Sequence, residues 1–352
     1  MKFLIRSLGF AVWRAEFEKA LALVRDEGGV PLSLDAERPP IETAPDWSRP
    51  VPPSVAESAR RAASAEVRGP GIVPAVGTPL PVLSGGFLEW QATNVRRQKQ
   101  DGYALVTVTV PLGDLTGAQL RVIADLALAY GDGTVRVTAD QDLLFRWVRA
   151  GDVPELYRRL AAVRLGLGGA GSLADVTSCP GAEACRLAVT QSRGLGKLLG
   201  DHLRERPDLV AAVPGLDIKI SGCPNGCGQH HIAGLGFQGS VRKVGDKAVP
   251  QYFVMLGGGV DGGRASFGRI AAKVPGPPHP RGGRPAGRPL HGRRRAGETA
   301  RSFFRRLEVP RVKALLADLE ALSPETATPA DFIDLGEEAE FVVETQEGEC
   351  VA

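Results

Sequence analysis

Apolar and polar residues alternate most clearly over residues 103–110. Three valines fall on one face of this segment and two threonines on the other: Val106, Val108, Val110, Thr107 and Thr109. Alternation with a period of two predicts a half-buried β-strand. Two further strands are predicted at 135–140 and 142–148, in the sequences VRVTAD and DLLFRWV.

A helical period follows the first strand. The helix is predicted to begin near Thr116, and its apolar positions recur at i, i+3, i+4 and i+7 at Leu120, Ile123, Ala124 and Ala127. Gly131 is expected to close this helix as a left-handed cap. A second helix is predicted over 153–166. The order β-α-β-β-α predicts an α+β fold, a ferredoxin-like half-domain over residues 83–165.

A second domain is predicted over residues 166–322, beginning with the glycine-rich hinge at 166–172. Its predicted elements are a helix after Cys179, strands at 216–220, 232–241 and 251–256, and helices at 299–307 and 310–322. These mixed elements indicate an α/β domain. The acidic tail, 323–352, is expected to be irregular.

The first 82 residues combine one helix with a linker. Residues 1–26 predict an amphipathic helix, because a short apolar start runs into a charged stretch and lacks a cleavage site for a signal peptide. Residues 27–82 are rich in proline, alanine, serine and charge, which is typical of a linker. No window approaches the ~18 uninterrupted apolar residues of a membrane span, so no membrane association is expected.

Charge and cysteine content narrow the class of protein. The formal net charge is only +3 over 352 residues, which argues against bulk nucleic-acid binding. Five cysteines, an odd and low number for this length, do not indicate a disulfide scaffold. Four of them form two tight pairs, which indicates a metal centre in a reducing compartment. We therefore expect a cytoplasmic protein.

The paired cysteines have the spacing C-x5-C at Cys179 and Cys185, and C-x3-C at Cys223 and Cys227. Four thiolates are the usual ligands of a 4Fe–4S cluster. A structural zinc ion is the alternative, because zinc also accepts four cysteines. Zinc sites favour tight C-x2–4-C pairs on both sides, so the wider first pair fits zinc poorly.

Residues around the cysteines favour an anionic group. Pro180 follows Cys179 and predicts the first position of a helix, whose N-terminal N–H groups would face the cluster. Three glycines would allow the second cysteine loop to fold closely around a bulky group: Gly222, Gly226 and Gly228.

The cysteine segments carry a specific resemblance. IKISGCPNGCGQHHIAGLGFQG, with its core GCPNGC at 222–227, and TSCPGAEACRLAVTQSRGL resemble the cluster- and sirohaem-binding segments of the nitrite and sulfite reductase family. The resemblance implies that Cys227 ligates both the cluster and the sirohaem iron. It implies that Cys179, Cys185 and Cys223 bind the cluster only, and that Asn225 in the GCPNGC core binds cofactor.

The resemblance extends into the first domain. WQATNVRRQKQDGYALVTVTVPLGDLTGAQL and VRVTADQDLLFRWV resemble the ferredoxin-like half-domain of the same family, including a T-x-x-Q element at 138–141. The resemblance implies cofactor binding by Thr138 and Gln141, with turn polarity as the alternative. Arg96, Arg97 and Lys99 could neutralise sirohaem carboxylates, or they could form a solvated charged edge.

This resemblance implies an oxidoreductase that reduces nitrite to ammonia or sulfite to sulfide with six electrons from ferredoxin or a flavoprotein. Residues 85–322 align with the second half of the family, and residues 1–26 resemble the helix that closes the first half. An N-terminal half is therefore an expected partner. It would carry most residues that bind the substrate anion, so nitrite and sulfite are not distinguished. The alternatives are a non-catalytic iron–sulfur electron-transfer or partner subunit and a zinc-stabilised structural module.

Two further segments leave alternatives open. Residues 275–295 include six prolines and six arginines, and the prolines exclude a continuous helix. This segment could be a flexible basic loop, a docking patch for an acidic electron donor, or the product of a compensated frameshift in a GC-rich gene. His230 and His231 could relay protons, or they could form the partly buried start of a strand.

Overall fold

The computed structural model describes residues 5, 8–28, 44, 49–63, 86–261, 264–276 and 294–343. The chain divides into two units, residues 45–344 and a smaller unit of residues 1–44 and 345–352. The smaller unit contains α1 (Phe10–Asp26), in which no described residue is buried. This helix confirms the prediction for the N-terminus over most of its length. The larger unit begins with α2 (Val55–Ala63).

Seven elements build the ferredoxin-like half-domain: α3 (Gly86–Asn94), β1 (Val95–Arg97), β2 (Tyr103–Val108), α4 (Gly117–Tyr130), β3 (Arg136–Val137), β4 (Leu143–Arg149) and α5 (Val153–Ala162). The strands form one antiparallel sheet in the order β1-β2-β4-β3. Val106, Val108 and Val110 are all buried, as their alternation predicts. They pack with Phe145 and Leu126 in a core that belongs to this half-domain. The structure thus has the α+β architecture expected from the sequence.

Helix α4 begins where the sequence predicts, and its buried face includes Ile123 and Ala127 of the four predicted core residues. The Thr116 hydroxyl accepts from the Gln119 N–H at 3.1 Å and the Gln119 side chain accepts from the Thr116 N–H at 3.0 Å, which forms a capping box. Leu120 and Ala124, two of the predicted core residues, are exposed. The buried stripe is shifted around the helix and consists of Ala118, Val122, Ile123, Leu126, Ala127, Ala129 and Tyr130.

Gly131 does not adopt the predicted left-handed cap. Its φ of −107° and ψ of −151° are extended, and its N–H still donates to the Ala127 carbonyl. A β-carbon at this position would lie 3.1 Å from the carbonyl oxygens of both Ala127 and Arg146. Close backbone approach therefore explains the glycine here, and a positive φ does not.

The segment predicted as a linker contains helix α2, which packs on the half-domain through α4 and α5. The Arg49 guanidinium, just before α2, lies 3.6 Å from the Asp152 carboxylate and donates to the Trp147 carbonyl at 3.3 Å. Arg159 of α5 donates to the Pro53 carbonyl. Residues 49–63 are therefore attached to the fold.

The second domain has a five-stranded mixed sheet. Its described elements are β5 (Thr177–Ser178), α6 (Ser192–Arg204), α7 (Pro207–Ala212), β6 (Ile218–Ser221), β7 (Leu235–Val244), β8 (Lys247–Leu256), β9 (Gly259–Asp261), β10 (Arg264–Ser266), β11 (Arg269–Pro275), α8 (Ala300–Arg306) and α9 (Val309–Glu320). The strand order is β11-β8-β7-β6-β5, and β9 pairs only with β10. Strands β5, β6 and β7 are parallel neighbours, whereas β8 and β11 run antiparallel.

Several predictions for this domain need correction. The sequence pattern does not predict strands β5, β9, β10 and β11 or helix α7. The helix expected directly after Cys179 is wrong, because the chain makes only a 3-10 turn over Gly181–Glu183 and α6 begins at Ser192. Gly181 has a φ of +65°, which a continuing α-helix does not accommodate. Along the part of the chain described, no helix is long and apolar enough to span a membrane.

Candidate functional site

The two cysteine loops leave the same edge of the sheet. Cys179 follows β5 and Cys223 follows β6, and these strands are parallel neighbours with Ser178 opposite Ile220. Loops after parallel strands emerge at one edge, which is where ligand sites of α/β sheets form. The Cys179 N–H donates to the Ile220 carbonyl at 3.1 Å, so the pairing continues as far as the first cysteine.

Glycines allow the loops to approach each other closely. The Gly222 carbonyl accepts from the Val189 N–H at 2.8 Å and the Thr190 N–H at 3.0 Å, which joins the two loops. A β-carbon at Gly222 would lie 2.7 Å from the Thr190 carbonyl oxygen, and one at Gly228 would lie 1.9 Å from the Ile220 carbonyl oxygen. Both distances are too short for any larger residue.

The four thiols influence one another. Cys179 and Cys223 are buried, Cys185 is half-buried and Cys227 is exposed. Burial raises the pKa of the Cys223 thiol, the Asn225 backbone N–H lowers it, and each of the other three cysteines raises it further. The sulfur of Cys179 accepts from the Gly222 N–H at 3.2 Å and lies 3.2 Å from the Ser192 hydroxyl. The fold thus brings Cys179, Cys185 and Cys227 within electrostatic reach of Cys223.

This donor set suits a cluster better than a single ion. Within the described ranges, no group of three or more His, Cys, Asp or Glu side chains is arranged to hold one metal ion. A tetrahedral zinc needs four donors converging at ~2.0–2.3 Å. A 4Fe–4S cube is wider and carries one thiolate on each iron, so its ligands need not converge on one point. Four thiols are the donor set that such a cluster uses.

The Gln141 side chain connects the half-domain to the strand that precedes Cys179. Its Nε2 donates to the Ser178 carbonyl at 2.7 Å, and its Oε1 accepts from the Ser178 N–H at 2.9 Å. Gln141 has a φ of +70°, a left-handed conformation that few residues other than glycine adopt. In the same turn, the Thr138 hydroxyl accepts from the Asp142 N–H at 3.1 Å. Both atoms of the Gln141 amide are thus occupied by backbone.

An ion pair strengthens the same junction, that is, the contact between the half-domain and the strands that precede the cysteine loops. The buried Lys219 of β6 places its ammonium 2.7 Å from the carboxylate of Asp140, which is about half exposed. Burying an ammonium without a partner is costly, so Asp140 compensates for the desolvation of Lys219. Arg193 of α6 makes a similar connection to Asp114 of the half-domain and to Glu183, the latter at 2.8 Å.

A buried carboxyl pair also lies at this junction, and the sequence analysis did not find it. Burial, followed by the neighbouring Asp175, raises the pKa of Asp142 to about 8. Burial likewise raises the pKa of Asp175, and a hydrogen bond joins the two carboxyls. The Val110 N–H donates to Asp142 at 2.9 Å and the Gly171 N–H donates to Asp175 at 2.7 Å. The pair therefore binds a proton more tightly than an ordinary carboxyl does.

His230 and His231 support the second cysteine loop. They lie in a 3-10 turn over His230–Ile232, and their rings stack at 3.9 Å. His230 is fully buried, its Nε2 lies 3.2 Å from the Gln238 Oε1, and burial lowers its pKa to about 4. A β-carbon at Gly226 would lie 2.3 Å from the His231 ring. The histidines thus lie in a turn before β7 and not at the start of the strand, and their packing favours a structural role.

The remaining predicted residues, Arg97 and Asn225, have exposed side chains. Arg97 is exposed on β1 and forms an ion pair with Asp101. Asn225 is exposed at the tip of the second cysteine loop. Of the proline- and arginine-rich segment, residues 277–293 lie outside the described residues.

Two family descriptions match consecutive parts of the chain. The nitrite/sulfite reductase ferredoxin-like half domain matches residues 96–163, and the nitrite and sulphite reductase 4Fe-4S domain matches residues 169–273. Both matched segments lie inside the predicted domains, 83–165 and 166–322.

Individual nitrite and sulfite reductases are also similar to this chain over part of their length. The chain is 32% identical over 190 residues to a ferredoxin–nitrite reductase of Synechococcus elongatus, which covers 53% of this chain and 36% of that protein. It is 31% identical over 173 residues to a ferredoxin sulfite reductase of Mycolicibacterium paratuberculosis, covering 48% and 31%. The structure of the Mycobacterium tuberculosis NirA protein aligns with a TM-score of 0.52 and 27% identity, over 62% of this chain and 41% of that one. The chain thus spans only 36% and 31% of the length of these two curated relatives.

Proposed function

We propose that the chain holds a 4Fe–4S cluster and a sirohaem, because residues 96–163 and 169–273 match two domains of the nitrite and sulfite reductase family. The cluster ligands would be Cys179, Cys185, Cys223 and Cys227. The bound cofactors would supply electron transfer and a substrate-binding iron for six-electron reduction of nitrite to ammonia or of sulfite to sulfide. The names of the relatives support either anion as substrate and ferredoxin as electron donor, and a flavoprotein is the alternative donor.

The observation that carries the proposal is the meeting of two cysteine loops at the edge formed by β5 and β6. Each loop brings two thiols, and the Gly222 carbonyl joins the loops through two hydrogen bonds. The backbone is therefore organised around the thiols before any group binds. Preorganisation of this kind lowers the entropic cost of binding a cofactor.

Backbone N–H groups of the chain contact two of the cysteines. The Gly222 N–H points at the Cys179 sulfur, and the Asn225 N–H lowers the pKa of Cys223. Hydrogen bonds to a charged form stabilise it. We propose that both N–H groups remain in place in the loaded protein and tune the potential of the cluster.

Cys227 differs from the buried cysteines by its exposure. An exposed thiolate can face a second group outside the two loops, so Cys227 is the proposed ligand shared by cluster and sirohaem. Asn225, beside it, and Arg97, as a positive charge for a carboxylate, are proposed cofactor contacts. Gln141 and Thr138 would act through Ser178 and the turn that holds it, since the Gln141 amide is already occupied.

Two further parts of the proposal concern the surroundings of the chain. A half that supplies residues for binding the substrate anion would act as partner, which is consistent with the greater length of the relatives. A reducing cytoplasm would keep the four thiols available to the cluster, as the absence of a disulfide pattern suggests.

Spectroscopy of the reconstituted chain tests the proposal. With iron, sulfide and sirohaem supplied under anaerobic conditions, the wild type should show a Soret band and a sirohaem band coupled to cluster absorption. Cys227→Ser should lose the coupling between cluster and sirohaem. Cys350, the fifth cysteine, belongs to neither pair and lies outside the described residues, so Cys350→Ser should leave the spectrum unchanged. A cluster spectrum that never couples to sirohaem would support the electron-transfer subunit instead. Zinc without cluster absorption would refute both.

A further inference from the structure

Residues 328–343, here called the C-terminal arm, lie beyond the segments that match the family. The sequence predicts only an irregular acidic tail there. We propose that the C-terminal arm positions the loop carrying Cys179 and Cys185, and that Asp334 is the positioning residue. This inference rests on the proposed cluster and adds to it a residue that acts through the protein backbone.

The C-terminal arm is anchored to the rest of the domain. Its first turn, Pro329–Phe332, begins with a capping box in which Thr328 and Asp331 bond to each other. The Phe341 N–H donates to the Phe332 carbonyl at 2.6 Å, and the Phe341 ring is buried. Lys247 of β8 lies over the Phe332 ring and pairs with Glu340 at 2.8 Å. The arm is therefore part of the folded unit.

Asp334 connects the arm to the cysteine loop. It is only 4% exposed, and its Oδ2 accepts from the Gln191 N–H at 2.7 Å while its Oδ1 accepts from the Leu335 N–H at 2.8 Å. The Gln191 side chain donates to Glu337 at 2.5 Å. A β-carbon at Gly194 would lie 2.9 Å from Leu335, so the arm packs directly on the first turn of α6.

The contact between Asp334 and Gln191 can position Cys179, because the neighbours of Gln191 touch both cysteine loops. It precedes Ser192, whose hydroxyl donates to the Cys179 carbonyl at 2.9 Å and lies 3.2 Å from the Cys179 sulfur. On its other side, the Thr190 N–H donates to Gly222 of the second cysteine loop. Holding Gln191 therefore fixes both the contact to Cys179 and the joint between the loops.

The start of α6 lacks a cap of its own. Gln191 occupies the N-cap position and its side chain makes no capping hydrogen bond. N–H groups in the first turn of a helix need acceptors, and a carboxylate is favourable there because of the helix dipole. Asp334 places its carboxylate at this end of the helix and accepts from the N–H of the N-cap residue Gln191, which lies 143 positions earlier in the chain.

Hydrogen exchange and iron release on the full chain test the inference. In the apo-protein, Asp334→Ala should speed hydrogen exchange at the Gln191 backbone N–H about tenfold, because one charge-assisted hydrogen bond is lost. Exchange in β7 and β8 should stay unchanged. Asp334→Asn keeps one acceptor oxygen and should recover most of the protection. Glu340→Gln, on the same arm without contact to the loop, is the matched control.

In the reconstituted protein, Asp334→Ala should release iron to a ferrous chelator about tenfold faster than the wild type and Glu340→Gln. Its reduced cluster should also show an altered electron paramagnetic resonance spectrum. Iron release and Gln191 exchange equal to the wild type would overturn the inference. Faster exchange throughout β7 and β8 would also overturn it, because it indicates general destabilisation. If the wild type takes up no iron, the proposed function fails, and exchange in the apo-protein still decides the role of Asp334.

Discussion

The half-domain and the cysteine loops are held in place by different forces. The half-domain has its own apolar core, in which Phe145, Val106 and Leu126 are almost fully buried. The cysteine loops are positioned mainly by backbone hydrogen bonds, by glycines and by polar side chains that reach in from elsewhere, such as Gln141 and Asp334. Loss of apolar packing should thus destabilise the half-domain most, whereas loss of a single polar contact should be enough to displace the cysteine loops.

The largest expected effect is in the apolar core. Phe145→Ala removes a fully buried ring and should lower the free energy of unfolding by about 3–5 kcal/mol, measured by chemical denaturation. Leu128→Ala, at an exposed position of α4, is the control and should change it little. A loss below about 1 kcal/mol for Phe145→Ala would show that the half-domain does not depend on this core.

The next effect concerns the junction. Gln141→Ala leaves the Ser178 N–H and carbonyl without partners and should cost about 1–3 kcal/mol in the free energy of unfolding. Iron bound per folded chain should fall as well, because Ser178 precedes Cys179. Gln141→Glu keeps the acceptor for the Ser178 N–H, so its free energy of unfolding and its iron content should lie between those of the wild type and Gln141→Ala. Iron loading equal to the wild type in Gln141→Ala would remove the proposed link between junction and cluster.

The smallest effect is a change in pH dependence. The pKa of Asp142 is raised from its ordinary 3.8 to about 8 in the folded protein. The folded protein therefore retains a proton that the unfolded chain releases, and its stability should fall as pH rises from about 4 to about 8.

Asp142→Asn tests that pH dependence. The amide keeps an acceptor for Val110 and offers a donor to Asp175, without a titrating proton. Unfolding measured across this pH range should show a shallower fall in the free energy of unfolding for Asp142→Asn than for the wild type. The same slope in both proteins would show that the carboxyl pair does not hold the proton.

The sequence predicts well where local patterns carry the information. The alternation at 103–110 identifies the central strand, and Thr116 marks the start of α4. The buried face of α4 was predicted incompletely, because alanine and leucine occur on both its exposed and its buried sides. The exposed Leu120 and the buried Ala118 have no local signal that separates them.

The candidate site is predictable only in part. Spacing and resemblance identify the four cysteines, because thiols in pairs have few other uses. The contacts of Gln141 with Ser178 and of Asp334 with Gln191 join residues that are 37 and 143 positions apart. Neither contact can be inferred from the hydrophobic periodicity or the amino-acid composition of the chain. The carboxyl pair of Asp142 and Asp175 is missed for the same reason.

The central claim is that Cys179, Cys185, Cys223 and Cys227 hold one 4Fe–4S cluster. Iron, acid-labile sulfide and zinc can be measured together on the full chain after anaerobic reconstitution with all three present. The account predicts about four iron and four sulfide per chain with little zinc, and loss of both from Cys179→Ser and Cys223→Ser but not from Cys350→Ser. About one zinc per chain with no sulfide would contradict it.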